Sequence, residues 1–125
     1  MSDETLSFKE MCAKFDVTPR TLHWYEYTEL LAPAREGRSR FYSQREVARM
    51  TLILRGRRWG FSLEEIRQWL LLYDEKGSKE QLEEFVRLAD RQLAALTEER
   101  SKLDETIAEL QATRAETERL VEEFD

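Results

Sequence analysis

Side chains that could bind phosphate are concentrated in one short stretch of the chain. Residues 33–43, PAREGRSRFYS, contain Arg35, Arg38 and Arg40. Guanidinium groups pair with phosphate oxygens, and arginines along a nucleic-acid backbone contribute a salt-dependent affinity. The alternative is a solvated surface on which the arginines pair with nearby glutamates: Glu26, Glu29 or Glu36. The stretch alone does not decide between these interpretations.

Charge is distributed unevenly along the chain. The net charge is -6, yet residues 35–58 carry eight arginines against two glutamates. From residue 78 onward, seven Lys and Arg stand against 14 Asp and Glu. This asymmetry indicates one basic working surface and an acidic remainder that keeps the molecule soluble, but charge alone does not decide for nucleic-acid binding.

Residue types suited to catalysis or metal binding are scarce. The chain has one histidine, His23, and one cysteine, Cys12, and it has no glycine-rich phosphate loop, nucleophile elbow or HExxH motif. Cys12 falls on the apolar stripe of a predicted helix, where a buried thiol is expected. A histidine without ligand companions does not make a metal site. We therefore expect no enzyme, no cofactor and no metal, and the residues identify no small-molecule effector.

Length and composition predict a small cytoplasmic protein. The 125 residues allow one domain plus an appendage, and a single cysteine excludes an internal disulfide. The first ten residues, MSDETLSFKE, lack the basic and apolar regions of a signal peptide. Because no apolar run approaches the roughly 20 residues that cross a bilayer, no membrane association is expected.

Helix-starting motifs divide the chain. In four places a serine is followed three residues later by Glu or Gln, the capping-box pattern in which each side chain binds the other residue's backbone N–H. Thr18-Pro19 marks a fifth start, because proline is tolerated at the first helical position. The four boxes are Ser7–Glu10, Ser43–Glu46, Ser62–Glu65 and Ser78–Gln81.

The first half of the chain is predicted to fold as a winged helix-turn-helix. Apolar spacing indicates helices over about 7–15 and 19–28, joined by a tight turn. The segment that follows predicts a two-stranded hairpin, the wing, ending in a strand at 40–42. Two further helices are expected at about 44–58 and 63–74. Their predicted buried residues are Val47, Met50, Thr51 and Leu54 in the former, and Leu63, Ile66, Leu70 and Tyr73 in the latter.

A long helix is predicted from Lys79 to Phe124, a stretch without Pro or Gly. Apolar residues there step by four and three, the spacing of a coiled coil. Because the preceding domain is too small to cover so long a stripe, a second copy of the chain is the simplest partner. The expected dimerisation residues are Leu82, Val86, Leu93, Leu96, Leu103, Ile107, Leu110 and Val121.

A helix-turn-helix followed by a dimerising helix favours DNA binding. The second helix of this motif enters the major groove, where residues near its start meet bases or phosphates. A dimer supplies the paired contacts that two half-sites need, which favours phosphate binding by the wing arginines over a solvated surface. The candidate DNA-binding residues on the helix are Thr18, Arg20, Thr21 and His23.

Three motifs in this order resemble the MerR family of bacterial transcription regulators. Residues 21–26, TLHWYE, are similar to the family's Thr-Leu-Arg-aromatic-Tyr-Glu helix, and residues 40–42, RFY, to its Arg-x-Tyr wing. Residues 60–66, GFSLEEI, are similar to its Leu-Gly-Phe-Ser-Leu-x-Glu-Ile junction. The resemblance covers about residues 6–76 closely. Two residues depart from it: His23 replaces an arginine, and Glu29 replaces a glycine.

The resemblance implies an antiparallel coiled-coil dimer on a palindromic promoter. In the family, the protein bends and untwists an overlong spacer so that RNA polymerase can use the promoter. Matched residue by residue, Tyr25, Arg40 and Tyr42 take backbone-contacting or wing positions, and Arg57 takes a basic position in a second wing.

The expected architecture is mainly α-helical. A winged helix-turn-helix DNA-binding domain over residues 1–77 precedes a long dimerising coiled-coil helix over 78–125. The expected function is sequence-specific transcription regulation on double-stranded promoter DNA. One alternative is a coiled-coil adaptor whose winged helix does not read DNA. Another is a small-molecule sensor that uses Trp69 or Tyr73.

Overall fold

The computed structural model describes residues 4–74 and 77–124. It confirms a mainly helical winged helix-turn-helix followed by a long helix. The expected beginning of the first domain and Asp125, the last residue of the second, lie outside the described residues. In chain order the elements are β1 (Leu6–Ser7), α1 (Phe8–Phe15), α2 (Pro19–Tyr27), β2 (Ala34–Glu36), β3 (Ser39–Tyr42), α3 (Gln44–Trp59), α4 (Leu63–Asp74) and α5 (Lys79–Glu122).

Three of the four predicted capping boxes form in both directions. They are those that begin at Ser7, Ser62 and Ser78. At the remaining one, Ser43 accepts a hydrogen bond from the Glu46 N–H at 3.4 Å, but the Glu46 side chain does not return to Ser43. Its carboxylate instead accepts a hydrogen bond from the backbone N–H of Ala32 at 3.0 Å. A long-range hydrogen bond to Ala32 therefore replaces one of the two hydrogen bonds of this capping box.

The predicted hairpin is part of a three-stranded antiparallel sheet. β2 and β3 pair with Arg35 opposite Arg40, and Gly37 begins the turn with a φ of 64°. β1 pairs with the other edge of β3, placing Leu6 opposite Tyr42. β1 was not predicted, because a strand of two residues is too short to show the alternation of apolar and polar residues.

The buried face of α3 differs from the predicted one. Met50 is buried as expected, but Val47, Thr51 and Leu54 are only half-buried. Leu52 and Ile53 are buried in their place. α4 packs closely against α3 beside Gly56, so the side of α3 that faces α4 is buried.

Gly56 sets the distance between α3 and α4. A Cβ atom at this position would lie 2.8 Å from Cγ1 of Ile66, a side chain with no solvent exposure. Ile66 and Leu70 are buried as predicted, whereas Leu63 is half-buried and Tyr73 is 67% exposed. The prediction for Tyr73 was wrong because α4 buries only the side that faces α3.

The chain divides into two compact units, Met1–Leu82 and Glu83–Asp125. The core of the first unit gathers side chains from α1, α2, the loop after α2, β3, α3 and α4. Its most deeply buried members are Tyr25, Tyr42, Met11, Leu22, Leu30, Leu31, Met50, Ile53, Ile66 and Leu70. α5 spans 44 residues, none of them buried. At about 1.5 Å per residue it is roughly 66 Å long.

Glu29 adopts a conformation that normally favours glycine. Its φ is 64°, in the left-handed region. Leu30 N–H binds the carbonyl of Tyr25, and Glu29 N–H binds that of Glu26. These two bonds make the Schellman ending of a helix, in which the left-handed residue is usually glycine. Glu29 therefore occupies a backbone geometry that favours glycine, the residue that the resemblance implies for this position in the family.

We expect Glu29→Gly to stabilise the protein and Glu29→Ala not to. Glycine removes the cost of about 1–2 kcal/mol that a side chain has in the left-handed conformation. Part of this gain is offset because glycine increases the conformational entropy of the unfolded chain. The expected net gain is about 0.5–1 kcal/mol. Urea unfolding of both variants at one protein concentration measures it. Alanine removes the same charge but keeps the strain, so equal gains in both variants would contradict this explanation.

Candidate nucleic-acid interface

α2 has one face in the core and one in solvent. Leu22 and Tyr25 are fully buried, whereas Arg20 and His23 are exposed. Its first turn is capped by Thr18, whose hydroxyl oxygen accepts the Thr21 N–H at 3.1 Å. Because α2 is the second helix of the helix-turn-helix, its exposed face is the one that can enter a major groove.

Thr18 and Thr21 hold the start of this helix together. Besides accepting the Thr21 N–H, Thr18 donates its hydroxyl proton to the Thr21 hydroxyl over 3.0 Å. Thr18 is exposed and Thr21 half-buried, so both border the candidate surface. Their first structural role is to fix where α2 begins.

His23 lies between the solvent and the first helix. Its side chain is 51% exposed, and its ring lies 4.6 Å from that of Phe8. Nδ1 is 3.9 Å from a carboxylate oxygen of Glu26. His23 therefore packs against α1 and still presents an accessible edge.

Tyr25 and Tyr42 are core residues rather than surface residues. Both have no solvent exposure, so direct contact with DNA as expected from the resemblance would require them to move. The Tyr25 hydroxyl accepts a hydrogen bond from Arg57 Nη1 at 2.7 Å. Through this hydrogen bond Tyr25 holds the Arg57 guanidinium near the end of α3.

Glu26 connects α2 to the wing. Its side chain is 7% exposed and accepts a hydrogen bond from the Tyr42 hydroxyl. Burial and the neighbouring Glu26 carboxylate raise the pKa of Tyr42 well above its usual range, so the phenol remains a donor. Arg40 Nε lies 2.9 Å from the other carboxylate oxygen; its N–H makes no hydrogen bond, so this contact is an ion pair.

The wing arginines therefore divide into two kinds. Arg40 is 25% exposed at its side chain, pairs with Glu26 and lies 5.6 Å from the centre of the Phe8 ring. Arg40 thus pairs with a glutamate as the alternative predicted, but the pair is largely buried rather than solvated. Arg35 and Arg38 are exposed and form no ion pair with any residue that the structure describes. These two remain available to an external anion.

Polar side chains of α3 and α4 hold the loop that follows α2. Arg67 donates to the carbonyl of Thr28 at 2.6 Å, and Arg49 donates to that of Leu30 at 3.1 Å. Arg49 also pairs with Asp74, while Glu46 binds the Ala32 N–H. The sequence did not predict these contacts, because the backbone groups that the side chains bind lie 14–39 positions away in the chain.

The exposed face of α2 borders a groove of about 480 Å³. Besides the candidates Arg20, Thr21, His23 and Arg57, its lining includes Trp24 and Tyr27. Trp24 is 49% exposed and was not among the predicted binding residues. Helical spacing could have predicted this exposure, because residues 20, 24 and 27 share one helical face opposite Leu22 and Tyr25.

Burial and the Glu26 carboxylate raise the pKa of the Cys12 thiol, which disfavours a nucleophilic thiolate. The described residues contain no group of three His, Cys, Asp or Glu that could hold a metal. Within the same residues, no helix is long and apolar enough to cross a membrane.

Comparison with known proteins agrees with this geometry. Residues 6–72 match the family described as MerR HTH family regulatory protein, and residues 47–120 match that described as MerR, DNA binding. The HTH-type transcriptional regulator PA4778 of Pseudomonas aeruginosa is 31% identical over 108 residues, covering 84% of this chain and 82% of the relative.

Two solved structures share the fold. A MerR-family regulator from Bacillus cereus superposes with a TM-score of 0.73 at 24% identity, covering 98% of this chain and 87% of the other. HiNmlR, a MerR family regulator lacking the sensor domain and bound to promoter DNA, gives 0.70 at 19% identity, covering 93% and 92%. The family matches extend from the first strand into the long helix, and the chain belongs to the MerR family of DNA-binding transcription regulators.

Proposed function

We propose that this chain regulates transcription by binding a palindromic promoter as a homodimer, with α2 in the major groove and the wing on the phosphate backbone. One observation carries the proposal: Arg20 and Arg57 border one groove on the exposed face of the recognition helix. Arginines reach both base edges and phosphates. A cytoplasmic location follows from a promoter target.

The wing extends this surface with two accessible cations. Arg38 lies in the two-residue turn between β2 and β3, and Arg35 lies on β2 opposite Arg40. Exposed arginines on a hairpin beside a recognition helix are suited to adjacent phosphates. Arg40 supports the wing from inside through Glu26.

The long helix supports the dimer. Its predicted stripe is exposed in the single chain, with Leu103 at 60%, Ile107 at 46% and Leu110 at 68%. A helix of 44 residues without any buried side chain gains little tertiary stabilisation within the single chain. We propose that a second copy covers the stripe in an antiparallel coiled coil.

The action on the promoter follows from the family. We propose that the dimer bends and untwists an overlong spacer, so that RNA polymerase can use it. The DNA-bound state of HiNmlR is a property of that protein, and together with the family matches it favours DNA binding over the adaptor alternative. DNase footprinting on the region upstream of the chain's own gene tests this proposal. We expect protection of a palindrome with enhanced cleavage in its spacer, and absence of protection at micromolar protein would contradict it.

We expect Arg38→Ala to reduce the salt dependence of DNA binding. Losing one phosphate contact lowers the slope of log K against log salt by about 0.9, and it weakens binding to all sequences alike. Binding measured by fluorescence anisotropy at several salt concentrations gives this slope.

Arg40→Ala is the matched comparison. It leaves the Glu26 carboxylate without its charge partner, so we expect a loss of folding stability of about 2 kcal/mol or more, seen in thermal melts. A stable Arg40→Ala variant whose salt slope falls as much as that of Arg38→Ala would show that Arg40 contacts phosphate itself.

We expect Leu103→Ala to weaken the dimer. Two-fold symmetry removes two leucines of about 2 kcal/mol each, which corresponds to roughly a thousandfold in the dissociation constant. The control is Asp104→Ala, which changes the adjacent exposed residue. Sedimentation equilibrium should give twice the 15.0 kDa chain mass for the unaltered protein and the control. A monomeric unaltered protein at micromolar concentration would refute the dimer.

A further inference from the structure

The exposed face of α2 carries two large aromatic rings that the proposed function does not use. Trp24 is 49% exposed and Tyr27 is 81% exposed. Their rings stack with centroids 5.9 Å apart and an interplanar angle of 19°. The outer face of a surface helix is usually polar, because exposed aromatic area is unfavourable in water. These rings therefore form a surface that a partner would cover.

Cations flank the rings on both sides. Arg20 lies one helical turn before Trp24, and Arg57 reaches the same groove from α3, held by its hydrogen bond to Tyr25. A partner that fits must be polyanionic and must also offer small apolar groups. Duplex DNA meets both conditions, since the major groove displays the C5 methyl group of thymine between two phosphate backbones.

We propose that Trp24 and Tyr27 form a thymine-reading surface that determines sequence specificity. This proposal rests on DNA binding by α2 and adds which base the helix selects. Residues 20, 24 and 27 follow the spacing of one helical face, so a helix that brings Arg20 to the groove brings both rings with it. Trp24, nearer the start of α2, contacts the methyl group.

Tyr27 acts as the positioning residue. Its ring stacks on Trp24, and its hydroxyl makes no hydrogen bond in the part of the chain that the structure describes. The stack holds the Trp24 ring before DNA arrives, so little side-chain freedom is lost on binding. Covering one methyl group is expected to contribute about fourfold in affinity.

The test uses the full-length protein and duplex DNA. A preferred site is first selected from a random-sequence duplex library, and each thymine in it is then replaced by deoxyuridine, which lacks only the methyl group. For the unaltered protein, at least one replacement should weaken binding about fourfold. If no sequence is selected, the proposed DNA recognition itself fails. If a sequence is selected but every deoxyuridine site binds as well as the thymine site, only the thymine-reading proposal fails.

Variants of Trp24 and Tyr27 test whether their rings cause the preference for thymine over deoxyuridine. Trp24→Ala and Tyr27→Ala should each bring the thymine-to-deoxyuridine ratio at that position close to one, while Tyr27→Phe, which keeps the stack, should retain it. Tyr73→Ala is the matched control, because Tyr73 is an exposed tyrosine on α4. Since Tyr27 is largely in solvent, its replacement leaves the core intact and remains informative even if Trp24→Ala unfolds. An unchanged ratio in Tyr27→Ala would overturn the proposal and point to a protein partner for this face.

Discussion

A nearly buried carboxylate on the recognition helix constrains the DNA-binding unit. Glu26 accepts a hydrogen bond from Tyr42 and lies 2.9 Å from Arg40, and both partners belong to β3. A carboxylate removed from water is unfavourable unless it is paired and hydrogen-bonded. Separating α2 from β3 would leave this charge uncompensated, so the helix and the wing are held together as one body. Their fixed spacing allows one rigid surface to address a groove and its flanking backbone together.

A second set of polar contacts fixes the other end of the recognition helix. The loop after α2 turns sharply because Glu29 keeps a left-handed backbone. Arg67 of α4 and Arg49 of α3 then bind the loop carbonyls at Thr28 and Leu30. Because backbone groups rather than side chains are held, the loop sequence can vary while its path does not. The direction of α2 therefore depends on α3 and α4, whose arginines lie 19 and 39 residues after the loop residues that they bind.

Local signals in the sequence predicted most of this fold, and long-range contacts account for the errors. Capping serines, Thr18-Pro19 and apolar periodicity located α1 to α5, since each acts within one or two helical turns. The pairing of β1 with β3, and the diversion of the Glu46 carboxylate to Ala32, depend on partners far away in the chain. For the candidate site, residue type indicated the arginines, but only the packing separated the paired Arg40 from the accessible Arg38.

The packing also separates residues that build the surface from residues that can read DNA. Tyr25, Glu26, Arg40 and Tyr42 bind one another or neighbouring side chains beneath the surface, and they coincide with motif positions of the family. The outward face at residues 20, 23, 24 and 27 makes few contacts with that network, apart from His23 beside Glu26. Tyr27 is the most exposed aromatic residue on this face, so its substitution costs little stability. If α2 enters the major groove as we propose, sequence preference is set on this face, which includes His23.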